Sequence, residues 1–215
     1  MAHRFAELMF TPHVRVFQEK AGSRASYARL DLPTAPGNDR LGEREASFIA
    51  ARDSFYMASV SETGWPYVQH RGGVPGFLKL LDERTLAFAE YLGNKQFVSL
   101  GNIGNDDRVS LFLMDYPNRR RLKVLGHAQV VDRMTNPVLF ERFADDASAK
   151  VEHAVVIALE GFDWNCPQYI TPRFTETELV EVLAPFRARL GELERENASL
   201  RSASSKRGSN TTSAR

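Results

Sequence analysis

The segment Asn94-Lys95-Gln96 follows the strand-like run Thr85 to Ala89 and opens a helix whose buried face is Phe97, Leu100 and Ile103. Asn94 is the expected N-cap, because its short side chain can accept a bond from an orphan amide of the first turn. Lys95 is out of place there. A cation in the first turn opposes the helix dipole at a cost of a few tenths to about 1 kcal/mol. An anion seated on the exposed amides reverses that sign and makes Lys95 a ligand. A solvated surface lysine is the other reading of the same residue.

Three further stretches carry polar chemistry. In Arg121-Leu122-Lys123-Val124-Leu125-Gly126-His127-Ala128-Gln129-Val130, strand alternation sends Leu122, Val124, Ala128 and Val130 to a barrel interior. Arg121, Lys123, His127 and Gln129 then form a cationic outer face for an anionic ligand, a partner carboxylate or water. In Gln69-His70-Arg71-Gly72-Gly73, Gln69 and Arg71 point one way and His70 the other, with Val68. The two glycines allow close approach of a flat ligand, or make a bulge. In Trp164-Asn165-Cys166-Pro167, Trp164 stacks on a planar ligand or caps the barrel. Cys166 has no base or second Cys beside it, so its reactivity rests on exposure.

The elements that must hold these residues are mostly short strands. Thr11-Pro12 starts a helix that ends at Lys20 to Gly22, residues 31–40 are a loop, and Leu41 to Arg52 is a second helix. Strands are expected at Ser54 to Ser61, Pro66 to Arg71, Phe77 to Leu81, Thr85 to Ala89, Arg108 to Met114, Arg120 to Asp132 and His153 to Glu160, with a helix near Asn136 to Ala144. Tight turns between them indicate an antiparallel barrel or sandwich, not a doubly wound βαβ fold. Leu179, Leu183, Phe186, Leu190, Leu193, Asn197 and Leu200 are spaced 4-3-4-3-4-3. That is the seam of a coiled coil, or the face of a helix lying on the barrel, with a kink or break at Pro185. Residues 202–215 offer nothing larger than alanine to bury and are expected to be disordered. The domains are thus an N-terminal helix and loop (1–40), a barrel (41–174), a heptad helix (175–201) and a tail (202–215).

Composition narrows the class. The chain has 215 residues, 28 Lys and Arg against 27 Asp and Glu, and one cysteine. One core of this size buries about 70% of its unfolded surface without staples. A single Cys excludes an intramolecular disulfide and points to a reducing, cytoplasmic setting. Near-neutral charge argues against nucleic-acid and anionic-membrane partners, and no apolar run is long enough to span a bilayer. No two histidines stand at a helical metal-ligand spacing, so no metal is expected. Phosphate-loop, dinucleotide and nucleophile-elbow motifs are absent.

The ordered series from Gln69-His70-Arg71 through Gly93-Asn94-Lys95-Gln96 to Arg121-Leu122-Lys123-Val124-Leu125-Gly126 resembles the pyridoxamine 5′-phosphate oxidase-like family of FMN-binding split barrels. The resemblance spans roughly Arg44 to Tyr169. It implies a mainly β, antiparallel, Greek-key-like split barrel with peripheral helices and a C-terminal helix. It implies FMN against the outer barrel face at a homodimer interface. The residues it assigns to the cofactor are Gln69, His70, Arg71, Gly72, Gly73, Glu90, Asn94, Lys95, Gln96, Arg121 and Trp164. Lys95 and Arg121 would neutralise the phosphate, and His70 or Arg71 is the candidate to orient a small-molecule substrate or electron donor. The C-terminal Trp-Arg-Leu segment of authentic pyridoxamine-phosphate oxidases is replaced here by Trp164-Asn165-Cys166-Pro167 and a heptad helix. The expectation is therefore an FMN-dependent oxidoreductase of open substrate. The alternatives are a flavin-binding storage or sensor module and a true pyridoxamine-phosphate oxidase.

Overall fold

In the computed structural model, which describes residues 3–91, 94–143, 151–164 and 166–210, seven antiparallel strands form one sheet in the order β2-β1-β5-β6-β7-β4-β3. The strands are β1 (Ser54–Val60), β2 (Pro66–Gly72), β3 (Lys79–Asp82), β4 (Thr85–Tyr91), β5 (Arg108–Asp115), β6 (Arg120–Asp132) and β7 (Val151–Trp164). Gly93, Ala144, Asn165 and the tail from 211 onward lie outside the described residues.

Period-two alternation builds the interior. Phe55 and Met57 of β1, Leu86 and Phe88 of β4, Leu111 and Leu113 of β5, Leu122 and Val124 of β6, and Val155 and Ile157 of β7 share one buried cluster. Phe55 meets the ring of Phe88 edge-on with centroids 5.3 Å apart, although three strands separate β1 from β4 in the sheet. The sheet therefore curls until its two flanks touch through side chains, not through backbone bonds. That is a split barrel. Val130, expected inside, is 36% exposed, and its neighbour Val131 is buried in a second cluster with Leu139, Phe140 and Phe143. A register shift between Leu125 and Gly126 precedes them. Gly126 has no room for a side chain, since a Cβ would lie 2.5 Å from the carbonyl oxygen of Ala158.

The helices of this unit are α1 (Arg4–Met9), α2 (Pro12–Lys20), α3 (Arg24–Ala28), α4 (Glu43–Ala50), α5 (Val98–Asn105) and α6 (Pro137–Glu141). Thr11 caps α2 as its sequence predicts, accepting from the amide of Val14. Helices α1 and α3 were not expected. His3 caps α1 through Nδ1, and Arg4 donates from Nε to Glu160 of β7 at 3.0 Å.

The chain divides into two compact units, 1–171 and 172–215. The second is α7 (Glu176–Asn210), continuous through Pro185 and running on past residue 202, where composition predicted disorder. No described helix is long and apolar enough to cross a membrane.

On the outer face of the barrel Lys123 Nζ lies 3.8 Å from Asp163 Oδ2 across the β6–β7 ladder. Burial raises the Asp163 carboxyl above its ordinary value of 3.8, against the opposing pull of Lys123, His3 and Arg121. A carboxyl raised in the fold holds its proton more tightly folded than unfolded. Stability is thus highest with Asp163 protonated and falls as pH rises from the ordinary range through the raised value. Asp163→Asn is expected to melt above the wild type at pH 7, with the gap closing near pH 3.5. Melting curves across that range check it; an unchanged gap at low pH would assign the effect to packing.

Candidate functional site

Opposite flanks of the sheet converge on one open pocket of about 120 Å³, lined by Gln69 and Arg71 of β2, Glu90 and Tyr91 of β4, His153 of β7, the loop Asn94 to Phe97, and Val98 to Leu100 of α5. On β2 the inward positions Tyr67, Gln69 and Arg71 are half-buried, while Val68 and His70 face out, so the alternation read from sequence holds. Two bonds aim α5 at the pocket. Asn102 Nδ2 donates to Ser59 Oγ at 2.9 Å, both residues being buried, and Ser99 Oγ donates to Gln69 Oε1 at 2.8 Å.

The start of α5 departs from the expected capping. Asn94 is not the N-cap. It accepts from the amide of Gln96 at 3.2 Å, an Asx turn, and the N-cap is Phe97, which has a left-handed backbone and makes no side-chain capping bond. The first helical bond runs from the Gly101 amide to the Phe97 carbonyl. Helix geometry therefore leaves the amides of Val98, Ser99 and Leu100 without intrahelical acceptors, and all three residues line the pocket. Lys95 is also left-handed, at φ 58, beside Phe97 at φ 52. Non-glycine residues pay for that conformation, and such strain concentrates where side chains are held for a task.

A second feature lies at the floor. Arg71 Nη1 donates to Glu90 Oε1 at 2.7 Å, the two side chains being 11% and 16% exposed. The guanidinium also stands 5.6 Å from the Phe88 ring centroid. Arg71 Nε and Glu90 Oε2 are buried with no hydrogen-bond partner. Orphan polar atoms are costly, so their place beside a pocket marks where ligand atoms or water would bond. His153 Nδ1 sits 2.5 Å from Asp132 Oδ1 but out of hydrogen-bond alignment. Because Arg71 and Glu90 offset each other, Lys95 and the α5 terminus set the sign of the described lining, and it is positive.

Six of the expected cofactor residues thus meet: Gln69, Arg71, Glu90, Asn94, Lys95 and Gln96. The others lie elsewhere on this chain. His70 packs edge-on against Tyr56 on the outer face of β2. Gly72 and Gly73 serve internal packing, since a Cβ on Gly73 would meet Phe77 at 2.8 Å and one on Gly72 would meet His70 Cε1 at 3.0 Å. Arg121 lies on the outer face of β6, its guanidinium 5.9 Å from the Phe112 ring. Trp164 ends β7 and caps the barrel: Nε1 donates to Glu45 Oε1 at 2.6 Å, and the indole meets Phe48 edge-on at 4.8 Å. Ser99 and His153 line the pocket without having been singled out by sequence, and Phe97, expected in the buried face of the helix, instead lines the pocket at its N-cap and is 52% exposed. Cys166 is exposed, and among the described residues no group of three or more His, Cys, Asp or Glu could hold a metal ion.

Fold and pocket together define an antiparallel split barrel with a positively lined pocket where its flanks meet. The family model for pyridoxamine 5′-phosphate oxidase matches residues 41–163, more than half of the chain. This chain belongs to that family. Among solved structures it is similar to Group A Streptococcus HupZ, with 13% identity over 62% of this chain and 99% of that one, at a TM-score of 0.49. It is also similar to a candidate pyridoxamine 5′-phosphate oxidase of Lactobacillus delbrueckii (22% identity, 58% and 94% covered, TM-score 0.45) and to an FMN-binding protein of Syntrophomonas wolfei (10%, 69% and 97%, 0.45). No curated protein sequence matches it.

Proposed function

We propose that the protein binds FMN in this pocket and works as a flavin-dependent oxidoreductase, with the flavin at the interface of a homodimer. The observation that carries the reading is the uncapped α5 terminus with Lys95 strained beside it. Three amides and a lysine lining one pocket suit a phosphate monoester. Arg71 Nε and Glu90 Oε2 supply a donor and an acceptor for the polar groups of the sugar chain and ring. When bound, the flavin would supply hydride or electron transfer. The chain's own part is to hold the phosphate through Lys95 and the amides of Val98 to Leu100, and to orient Arg71 through Glu90.

The homodimer is supported by what one chain lacks. The pocket is smaller than the roughly 300 Å³ at which sites usually begin to enclose a ligand of this size. The outer face of β2, β1 and β5 exposes Val68 at 60% and Tyr56 at 40%, and continues through Phe112 to Arg121. A second copy on that face would bring His70 and Arg121 to the flavin of its partner.

The test is an absorbance spectrum of the purified protein and identification of any released chromophore. A yellow protein releasing one FMN per protomer is expected, bleaching with NADH or NADPH. Flavin that no reductant bleaches would leave a storage or sensor module. Colourless protein that takes up no added FMN sinks the cofactor assignment.

A further inference from the structure

Along α7 a heptad runs from Leu179 to Leu200: Leu179, Phe186, Leu193 and Leu200 fall at d, Leu183 and Leu190 at a with the polar Asn197, and Val180 and Val182 at e and g of its first turn. The five leucines among Leu179 to Leu193 and Leu200, and Phe186 with them, are each at least 40% exposed. A helix that lies on a globular core needs a wider apolar face than two positions in seven. Beyond Phe186 the seam is flanked by charge instead, with Arg187, Glu194 and Arg201 at e and Arg189 and Glu196 at g. A narrow seam between charged flanks fits another helix of the same kind.

We propose that α7 pairs with α7 of a second copy of this chain as a parallel, in-register, two-stranded coiled coil over Leu179 to Leu200. Two observations fix the occupant and its direction, and a third is compatible with them. In a parallel pair each g residue faces the e residue five positions on in the other helix. Arg189 then meets the partner's Glu194, and Glu196 meets the partner's Arg201; both pairs are opposite in sign, and symmetry makes each twice. Asn197 at an a position meets its own copy only when the helices are parallel and in register, the role a single buried Asn plays in specifying such dimers. Pro185 falls at c, on the outside, so its ring stays clear of the seam. The pairing does not depend on the flavin reading.

Cysteine cross-linking in the full chain tests it, with the exposed Cys166 changed to Ser. Leu200→Cys at d is expected to form interchain disulfides nearly completely under mild oxidation at micromolar protein. Arg195→Cys, on the outward f position, should reach a tenth of that or less. An antiparallel pair would hold the two 200 positions about 30 Å apart and link neither. Arg189→Glu should slow linking at 200 several-fold by setting like charges opposite, and adding Glu194→Arg should restore it. No link at 200, equal linking at 195, or a rate indifferent to Arg189→Glu overturns the proposal.

Discussion

Glu90→Ala is expected to cost the unliganded protein roughly 3–5 kcal/mol of folding stability, the loss that follows when one partner of a buried ion pair is removed. The pair is well shielded, with Arg71 11% and Glu90 16% exposed and 2.7 Å between their atoms. Without the carboxylate the guanidinium keeps its charge and its orphan Nε in a site walled by Phe88. Access of water through the pocket mouth places the cost toward the lower end. Replacing both members, Arg71→Met with Glu90→Leu, should recover most of the loss, because the penalty comes from the stranded charge and not from the missing attraction. Denaturant midpoints of wild type, both single variants and the double variant give the cycle. A Glu90→Ala loss under 1 kcal/mol would mean that water already solvates Arg71. Added FMN should partly rescue Glu90→Ala, since the polar groups of the bound sugar chain and ring offer Arg71 acceptors in place of the lost carboxylate.

The half of the site that sequence shows is the half that local rules govern. Gln69 and Arg71 were readable because side chains two apart on a strand share a face, and Asn94 to Gln96 because a strand that ends in a polar turn and reopens as a helix has few geometries. The barrel was readable for the same reason. Ser99 and His153 were not, since neither type nor spacing distinguishes them; what brings them in is the curl that sets β7 beside the start of α5. The N-cap failed through backbone strain. Asn94 has the right chemistry for a cap, but Phe97 takes the position in a left-handed conformation that its residue type disfavours. Trp164 shows why residue type alone leaves a role open: an aromatic there suits a ligand platform or a barrel cap, and on this chain it packs on Phe48 and donates to Glu45. Helix α1 is hard to read because six residues carry no convincing period; it is held by burial of Phe5 and Ala6 and by the His3 cap, with the part-exposed Arg4–Glu160 pair adding little.

Lys95→Ala is expected to weaken FMN binding about ten- to a hundred-fold while leaving the barrel folded. A charge-assisted bond to phosphate is worth roughly 1.5–3 kcal/mol, and about 1.4 kcal/mol is tenfold in affinity. The rest of the phosphate cradle, the amides of Val98 to Leu100, survives the substitution, so binding should weaken and not vanish. Salt provides a second signature. Screening acts on the ammonium more than on backbone amides, so wild-type affinity should fall with ionic strength more steeply than that of Lys95→Ala. Lys95→Gly separates charge from strain. At φ 58 glycine relieves about 1 kcal/mol of backbone cost that alanine retains, so the glycine variant should be the more stable of the two. Its FMN affinity should be no better than that of Lys95→Ala, and Lys95→Arg should restore most of the loss. Flavin titration at two ionic strengths, beside denaturant unfolding of each unliganded variant, reads both quantities. Unchanged affinity in Lys95→Ala would make the residue a solvated lysine. The strain it carries would then owe nothing to a ligand, and the helix terminus alone would have to hold the phosphate.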